Sequence, residues 1–84
     1  MPIALTTDTI EARVTEALMD FHIAPEDITR DATIRSFDLD SIDLVELTQL
    51  FKDEYGVAVP ARDLADVETV GDIIDLIAAR AGES

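Results

Sequence analysis

Apolar residues at three- and four-residue spacing mark out three long segments of this chain. Ile10, Val14, Leu18 and Phe21 predict an amphipathic first helix that ends near Phe21 or His22, with Pro25 just beyond. Asp8 and Glu11 fit a capping box for its start, with Thr7 as a competing cap. From Ile23 to Asp40 the periodicity fails. So long a connection in a small domain is expected to be ordered, pinned by Ile28, Ile34, Phe37 and Leu39, with a helical turn near Pro25-Glu26-Asp27-Ile28. Leu44, Leu47, Leu50 and Phe51, with Val45 at the stripe's edge, predict a second helix from about Ser41 to Tyr55, stopped by Gly56 in the αL conformation. Val57-Ala58-Val59-Pro60 reads as briefly extended and Arg62-Asp63-Leu64 as a short third helix. Thr69 and Asp72 form a capping box for a last helix whose apolar face is Val70, Ile73, Ile74 and Ile77, with Gly82 at its end. The sum is an all-α fold of three main helices and one short one, without βαβ alternation.

Composition sharpens this picture. A hydrophobic fraction of 48% over 84 residues is enough for one aliphatic core and excludes a disordered chain, yet the domain is too small to enclose a typical enzyme cleft. The 19 Asp and Glu against 6 Lys and Arg give a formal charge of −13, a field that repels nucleic acid and anionic lipid and attracts basic protein surfaces. Without cysteine there is no disulfide framework, thiolate metal site or Cys nucleophile. Met1-Pro2-Ile3-Ala4-Leu5 lacks a signal peptide's basic and apolar regions, and no segment is apolar for long enough to cross a bilayer, so a cytoplasmic chain is expected.

Few residues offer chemistry of their own. His22, the single histidine, stands near a helix end without a local Cys or Ser partner and reads as a terminus residue favoured by the helix dipole. Asp40 with Asp43 has no concave site around it and reads as a solvated face. Asp38 and Asp40 match the first and third ligands of a calcium loop, but Ile42, Asp43 and Gln49 then occupy places that need an oxygen ligand, a glycine and a glutamate, which excludes an EF-hand. No catalytic set and no metal site is assigned. Ser41 remains. Its hydroxyl stands at a helix start, where it reads either as a cap for the first-turn amides or as an exposed group at which a phosphate ester is electrostatically welcome.

The surroundings of Ser41 decide between readings. Asp40-Ser41-Ile42-Asp43-Leu44-Val45-Glu46-Leu47, after a long loop and before an acidic helix, resembles the modification site of acyl carrier proteins. The resemblance continues through Tyr55-Gly56-Val57-Ala58-Val59-Pro60 and Val67-Glu68-Thr69-Val70-Gly71-Asp72-Ile73-Ile74, and so covers most of the chain. It implies a four-helix bundle, with residues 1–84 a single acyl carrier domain, that bears a 4′-phosphopantetheine arm on Ser41. It implies, too, a chain that is no enzyme: a phosphopantetheinyl transferase moves the arm from coenzyme A, and the arm's thiol carries acyl groups as thioesters to the acyltransferase, ketosynthase and other enzymes of fatty-acid or polyketide synthesis. Tethering raises the acyl group's effective concentration at each partner.

Asp40, Asp43, Glu46, Asp53 and Glu54 crowd the second helix against the single Lys52, a charge pattern suited to basic docking patches on partners. By the resemblance, Asp40, Asp43, Leu44, Val45 and Glu46 are the matching recognition positions. Two departures stand out: Asp38 occupies a place where many relatives have glycine, and Thr48 one that is more typically apolar. Met1 and the Gly82-Glu83-Ser84 end suggest a free-standing chain, expected to be a monomer. Peptidyl and aminoacyl carriers are the nearest rival, but their Gly-Gly before the motif is missing. A purely structural acidic helical module, with Ser41 only a cap, is the rival from outside the carriers.

Overall fold

The computed structural model describes residues 6–81, so Gly82, expected to end the last helix, lies outside them. Three α-helices form, α1 (Thr7–Asp20), α2 (Ser41–Tyr55) and α3 (Val70–Ala81), joined by short 3-10 turns. Helix α1 starts one residue earlier than the sequence suggests. Thr6 is its cap, accepting from the Thr9 amide at 3.2 Å, while Asp8 sits exposed in the first turn and Glu11 reaches instead to Arg30 at 3.4 Å. A threonine just before the first turn satisfies an orphan amide without the Asp8–Glu11 box. The helix ends where expected: amides of His22 and Ile23 fold back onto the Met19 and Leu18 carbonyls, with His22 at φ 70°. That is a Schellman turn, so His22 takes the left-handed place usually given to glycine.

The connection from α1 to α2 is ordered, as its apolar residues predict. The turn near Pro25 appears as a 3-10 turn over Pro25–Asp27; a second, Ile34–Phe37, has no counterpart in the periodicity. What holds the segment is the start of α3. The Val70 amide donates to the Ala32 carbonyl at 3.0 Å, Gly71 to Arg30 at 2.8 Å, and Ile34 in turn donates to Glu68 at 2.9 Å. First-turn amides of a helix have no partners within it, so loop carbonyls satisfy them here. A Cβ on Gly71 would lie 2.9 Å from the Arg30 carbonyl oxygen, a contact that only glycine avoids. Arg30 adds ion pairs to Glu11 on α1 and, at 2.7 Å, to Asp75 on α3.

The core joins the expected stripes: Ile10, Val14 and Leu18 of α1, Leu44, Leu47 and Phe51 of α2, and Val70, Ile73, Ile74 and Ile77 of α3. Ile34, Val57 and Leu64 complete it from the connections. Leu50 and Phe21, placed on those stripes by spacing, are half-buried at their edges. Helix α1 packs on α3, and α2 on the segment after it. The short third helix expected at Arg62–Leu64 is a 3-10 turn, Ala61–Asp66, in which Leu64 alone is buried. A single anchor supports a turn, and an ion pair from Asp63 to Arg80 ties it to α3. Arg13 links α1 to α2 through a two-pronged contact with Glu54, at 3.0 and 2.8 Å.

The capping box on α3 forms as read from the sequence, with the Asp72 amide donating to Thr69 Oγ1 and the Thr69 amide to Asp72 Oδ2, each at 3.1 Å. Amides of Glu68 and Thr69 both donate to the Asp72 carboxylate and hold its pKa below the ordinary carboxylate value. A depressed folded pKa contributes stability that is complete above the unfolded value and is lost as pH falls through the folded one. Acid titration below about pH 4 is therefore expected to loosen the loop–α3 junction, and Asp72→Asn to flatten that part of the melting-temperature profile. An unchanged acid limb in Asp72→Asn would assign the acid response elsewhere.

Candidate functional site

Helix α2 opens on a reciprocal capping box. The Asp43 amide donates to Asp40 Oδ1 at 3.0 Å and the Asp40 amide to Asp43 Oδ2 at 3.2 Å. The cap is therefore Asp40 rather than Ser41, which occupies the first helical position. This corrects the reading of Ser41 as a cap. The consequence is chemical: the Ser41 side chain is exposed and engages in no hydrogen bond among the described residues. The backbone amides of Ser41 and Ile42 are likewise unengaged there. An unencumbered hydroxyl beside two open amides, at the positive end of a 15-residue helix, suits an attached phosphodiester in both access and charge.

The segment leading to Ser41 is shaped by Asp38. Its φ of 59° and ψ of 27° are left-handed, which explains why glycine is at home in that place and why aspartate, a short side chain that tolerates this region, is accepted. Asp38→Gly is expected to leave stability within about 1 kcal/mol, whereas Asp38→Val is expected to cost roughly 1–2 kcal/mol in urea unfolding. Equal midpoints for the two variants would contradict the strained backbone.

The acidic residues of α2 divide into two groups. Glu46 and Asp53 are exposed and make no ion pair among the described residues. Asp40 and Asp43 are held in the capping box, and Glu54 is clamped by Arg13, whose hydrogen bond lowers the Glu54 pKa. Leu44 is only 8% exposed and belongs to the core, so it presents little surface to a partner; Val45 is half-buried. The apolar side chain displayed next to Ser41 is Ile42, 67% exposed. Sequence reasoning passed over it because it is off the buried stripe, yet its spacing to Val45, Glu46, Gln49 and Asp53 puts all five on one face. Thr48 is buried, with its hydroxyl donating to the Val45 carbonyl at 2.8 Å, so its polarity is consumed within the helix.

Two cavities flank the helix. One, of about 400 Å³, lies between the Ile34–Phe37 turn, the start of α2 and the Val67–Glu68 segment. Leu39 and Leu44, either side of Ser41 in sequence, both line it. The other, of about 240 Å³, is formed by Thr48, Gln49 and Lys52 with Ala58, Val59 and Pro60.

A family model described as "Phosphopantetheine attachment site" matches residues 12–77. The chain belongs to the phosphopantetheine-binding acyl carrier family. The matched span takes in most of α1, all of α2 with its cap, and α3 as far as Ile77. Among curated relatives, a meromycolate extension acyl carrier protein of Mycobacterium leprae is 36% identical over 76 residues, covering 88% of this chain and 66% of the relative. An acyl carrier protein of Rhodococcus erythropolis is 43% identical over 56 residues, covering 66% and 62%. That of Petrotoga mobilis is 32% identical over 78 residues, covering 90% of this chain and 92% of its own length. The chain thus spans just under two thirds of the length of the first two relatives. The all-helical carrier fold of the family agrees with the three α-helices and the Ala61–Asp66 3-10 turn that stands in for the short third helix.

Proposed function

We propose that this chain is an acyl carrier protein that bears 4′-phosphopantetheine on the Ser41 hydroxyl. The observation that carries the reading is the division of labour at the start of α2: Asp40 and Asp43 cap the helix, which leaves the Ser41 hydroxyl exposed and unbonded. When attached, the arm supplies the thiol that this cysteine-free chain lacks and holds acyl groups as thioesters. The chain's own part is to present the hydroxyl to a transferase, stabilise the phosphodiester at the helix start, and dock. It catalyses nothing itself. The relatives' names, which include meromycolate extension, favour fatty-acid-type cargo over polyketide cargo. We assign the protein to the cytoplasm as a monomeric single domain, serving acyltransferase and ketosynthase partners. Incubation with coenzyme A and a broad-specificity phosphopantetheinyl transferase is expected to add one phosphopantetheine mass to the intact chain; no gain would sink the proposal.

The docking face we assign to Ile42, Val45, Glu46 and Asp53, an apolar contact ringed by unpaired acids. Asp40 and Asp43 contribute charge to it while held in the cap. Glu46→Ala and Asp53→Ala are each expected to raise the transferase KM about two- to fivefold with little change in kcat, and to flatten its salt dependence. Glu54→Ala is expected to act differently, lowering the melting temperature by freeing Arg13 while leaving KM nearly unchanged. If Glu54→Ala and Glu46→Ala raise KM alike, the face is wrongly drawn.

A further inference from the structure

Arginine is scarce in this chain, and most of it is committed. Arg13 pairs with Glu54, Arg30 with Glu11 and Asp75, and Arg80 with Asp63, each joining two segments of the fold. Arg35 is different. It is exposed, makes no ion pair among the described residues although the chain carries 19 acidic side chains, and lines the 400 Å³ cavity beside Ser41. The same cavity has apolar walls from Ile34, Leu39, Leu44 and Val67, with exposed Glu68 as its other charged group. Its volume is within the range of small-molecule sites, in which apolar walls supply burial and a few polar groups supply specificity. An alkyl chain alone would occupy the walls and leave the guanidinium to water. A chain that ends in a carboxylate would use both.

We propose that Arg35 is a specificity residue for the cargo carried at Ser41, holding the far-end carboxylate of a short dicarboxylic acyl group whose methylene chain lies along Ile34, Leu39, Leu44 and Val67. The proposal rests on the attachment of the arm to Ser41. The guanidinium presents a planar, permanently charged fork that matches a carboxylate, which no other side chain lining the cavity can do. Glu68 opposes the same carboxylate, so its charge sets how strongly Arg35 can discriminate.

The test compares two six-carbon cargoes, adipoyl and hexanoyl, loaded from their coenzyme A thioesters by a broad-specificity transferase onto the native chain, Arg35→Gln and Glu68→Gln. Intact mass establishes loading. Amide NMR shifts of Ile34, Leu39, Val67 and Glu68 report occupancy of the cavity, and hydroxylamine cleavage, referenced to the free thioesters, reports protection. Adipoyl is expected to be protected up to about fivefold more than hexanoyl in the native chain, the range of a solvent-exposed ion pair. That preference is expected to vanish in Arg35→Gln and to grow in Glu68→Gln, and the adipoyl-specific amide shifts to follow it. Equal behaviour of the two cargoes in the native chain, or a preference that survives Arg35→Gln, overturns the proposal. So do the same Arg35-dependent shifts in the chain carrying the arm without an acyl group, which would assign Arg35 to the phosphodiester. A missing mass gain removes the carrier reading as well, whereas loading without discrimination removes only the role of Arg35.

Discussion

Ser41→Ala is expected to abolish the phosphopantetheine mass gain completely while changing unfolding free energy by no more than about 0.5 kcal/mol. These two outcomes belong together. Were Ser41 the cap of α2, alanine there would cost about 1 kcal/mol, because a first-turn amide would lose its acceptor. The amide of Asp43 instead bonds to Asp40, and alanine is at least as good a helix former as serine inside the first turn. Asp40→Ala gives the reciprocal pattern: it removes the carboxylate that accepts from the Asp43 amide, leaving only the bond from the residue-40 amide to Asp43, and is expected to cost roughly 0.5–2 kcal/mol while the Ser41 hydroxyl can still be modified. Urea unfolding and intact mass, measured on both variants, separate the capping residue from the attachment residue. A stability loss in Ser41→Ala as large as that in Asp40→Ala would return Ser41 to a capping role.

Much of this was legible from spacing. The apolar stripes located all three helices, and Thr69 with Asp72 and Gly56 marked ends that formed as read, since these signals are local and depend on residues within one turn. What escaped was non-local or ambiguous. The Ile34–Phe37 turn follows no period, because it is held by bonds to the start of α3 more than thirty residues away in sequence. At the first helix, Thr6, Thr7 and Asp8 are all competent caps, and spacing alone does not choose among them. At the site, an Asp-Ser pair offers two cap candidates, and only backbone geometry assigns the role to Asp40. Charge counting made Glu54 look like its neighbours Asp53 and Glu46; its pairing with Arg13 on another helix was invisible along the chain. Ile42 was overlooked for the opposite reason, since a search for buried stripes discards an apolar residue that faces outward.

Phe51→Ala is expected to be the most damaging core substitution, at about 3–5 kcal/mol. Phe51 is fully buried, the largest side chain in that state, and its ring lies 5.6 Å from that of Tyr55 at a tilt of 31°. Removing it costs the transfer free energy of the ring and leaves a cavity bounded by residues that other elements hold in place. The total stability of a domain of this size is roughly 4–13 kcal/mol, so the loss is a large share of it. Phe51→Leu, which fills most of the space, is expected to cost about 1.5 kcal/mol, and the gap between the two variants measures the cavity contribution. The effect reaches Ser41 because α2 has no other support of comparable size: its first turn displays the attachment hydroxyl, and its remaining buried side chains, Leu44, Leu47 and Thr48, are smaller. Transferase modification of Phe51→Ala should therefore fall with the folded fraction as temperature rises and recover on cooling, whereas Ser41→Ala stays unmodified at every temperature. Modification of Phe51→Ala that persists above its own melting transition would show that the transferase reads the segment around Ser41 without the helix, and the geometry of the cap would then matter only for stability.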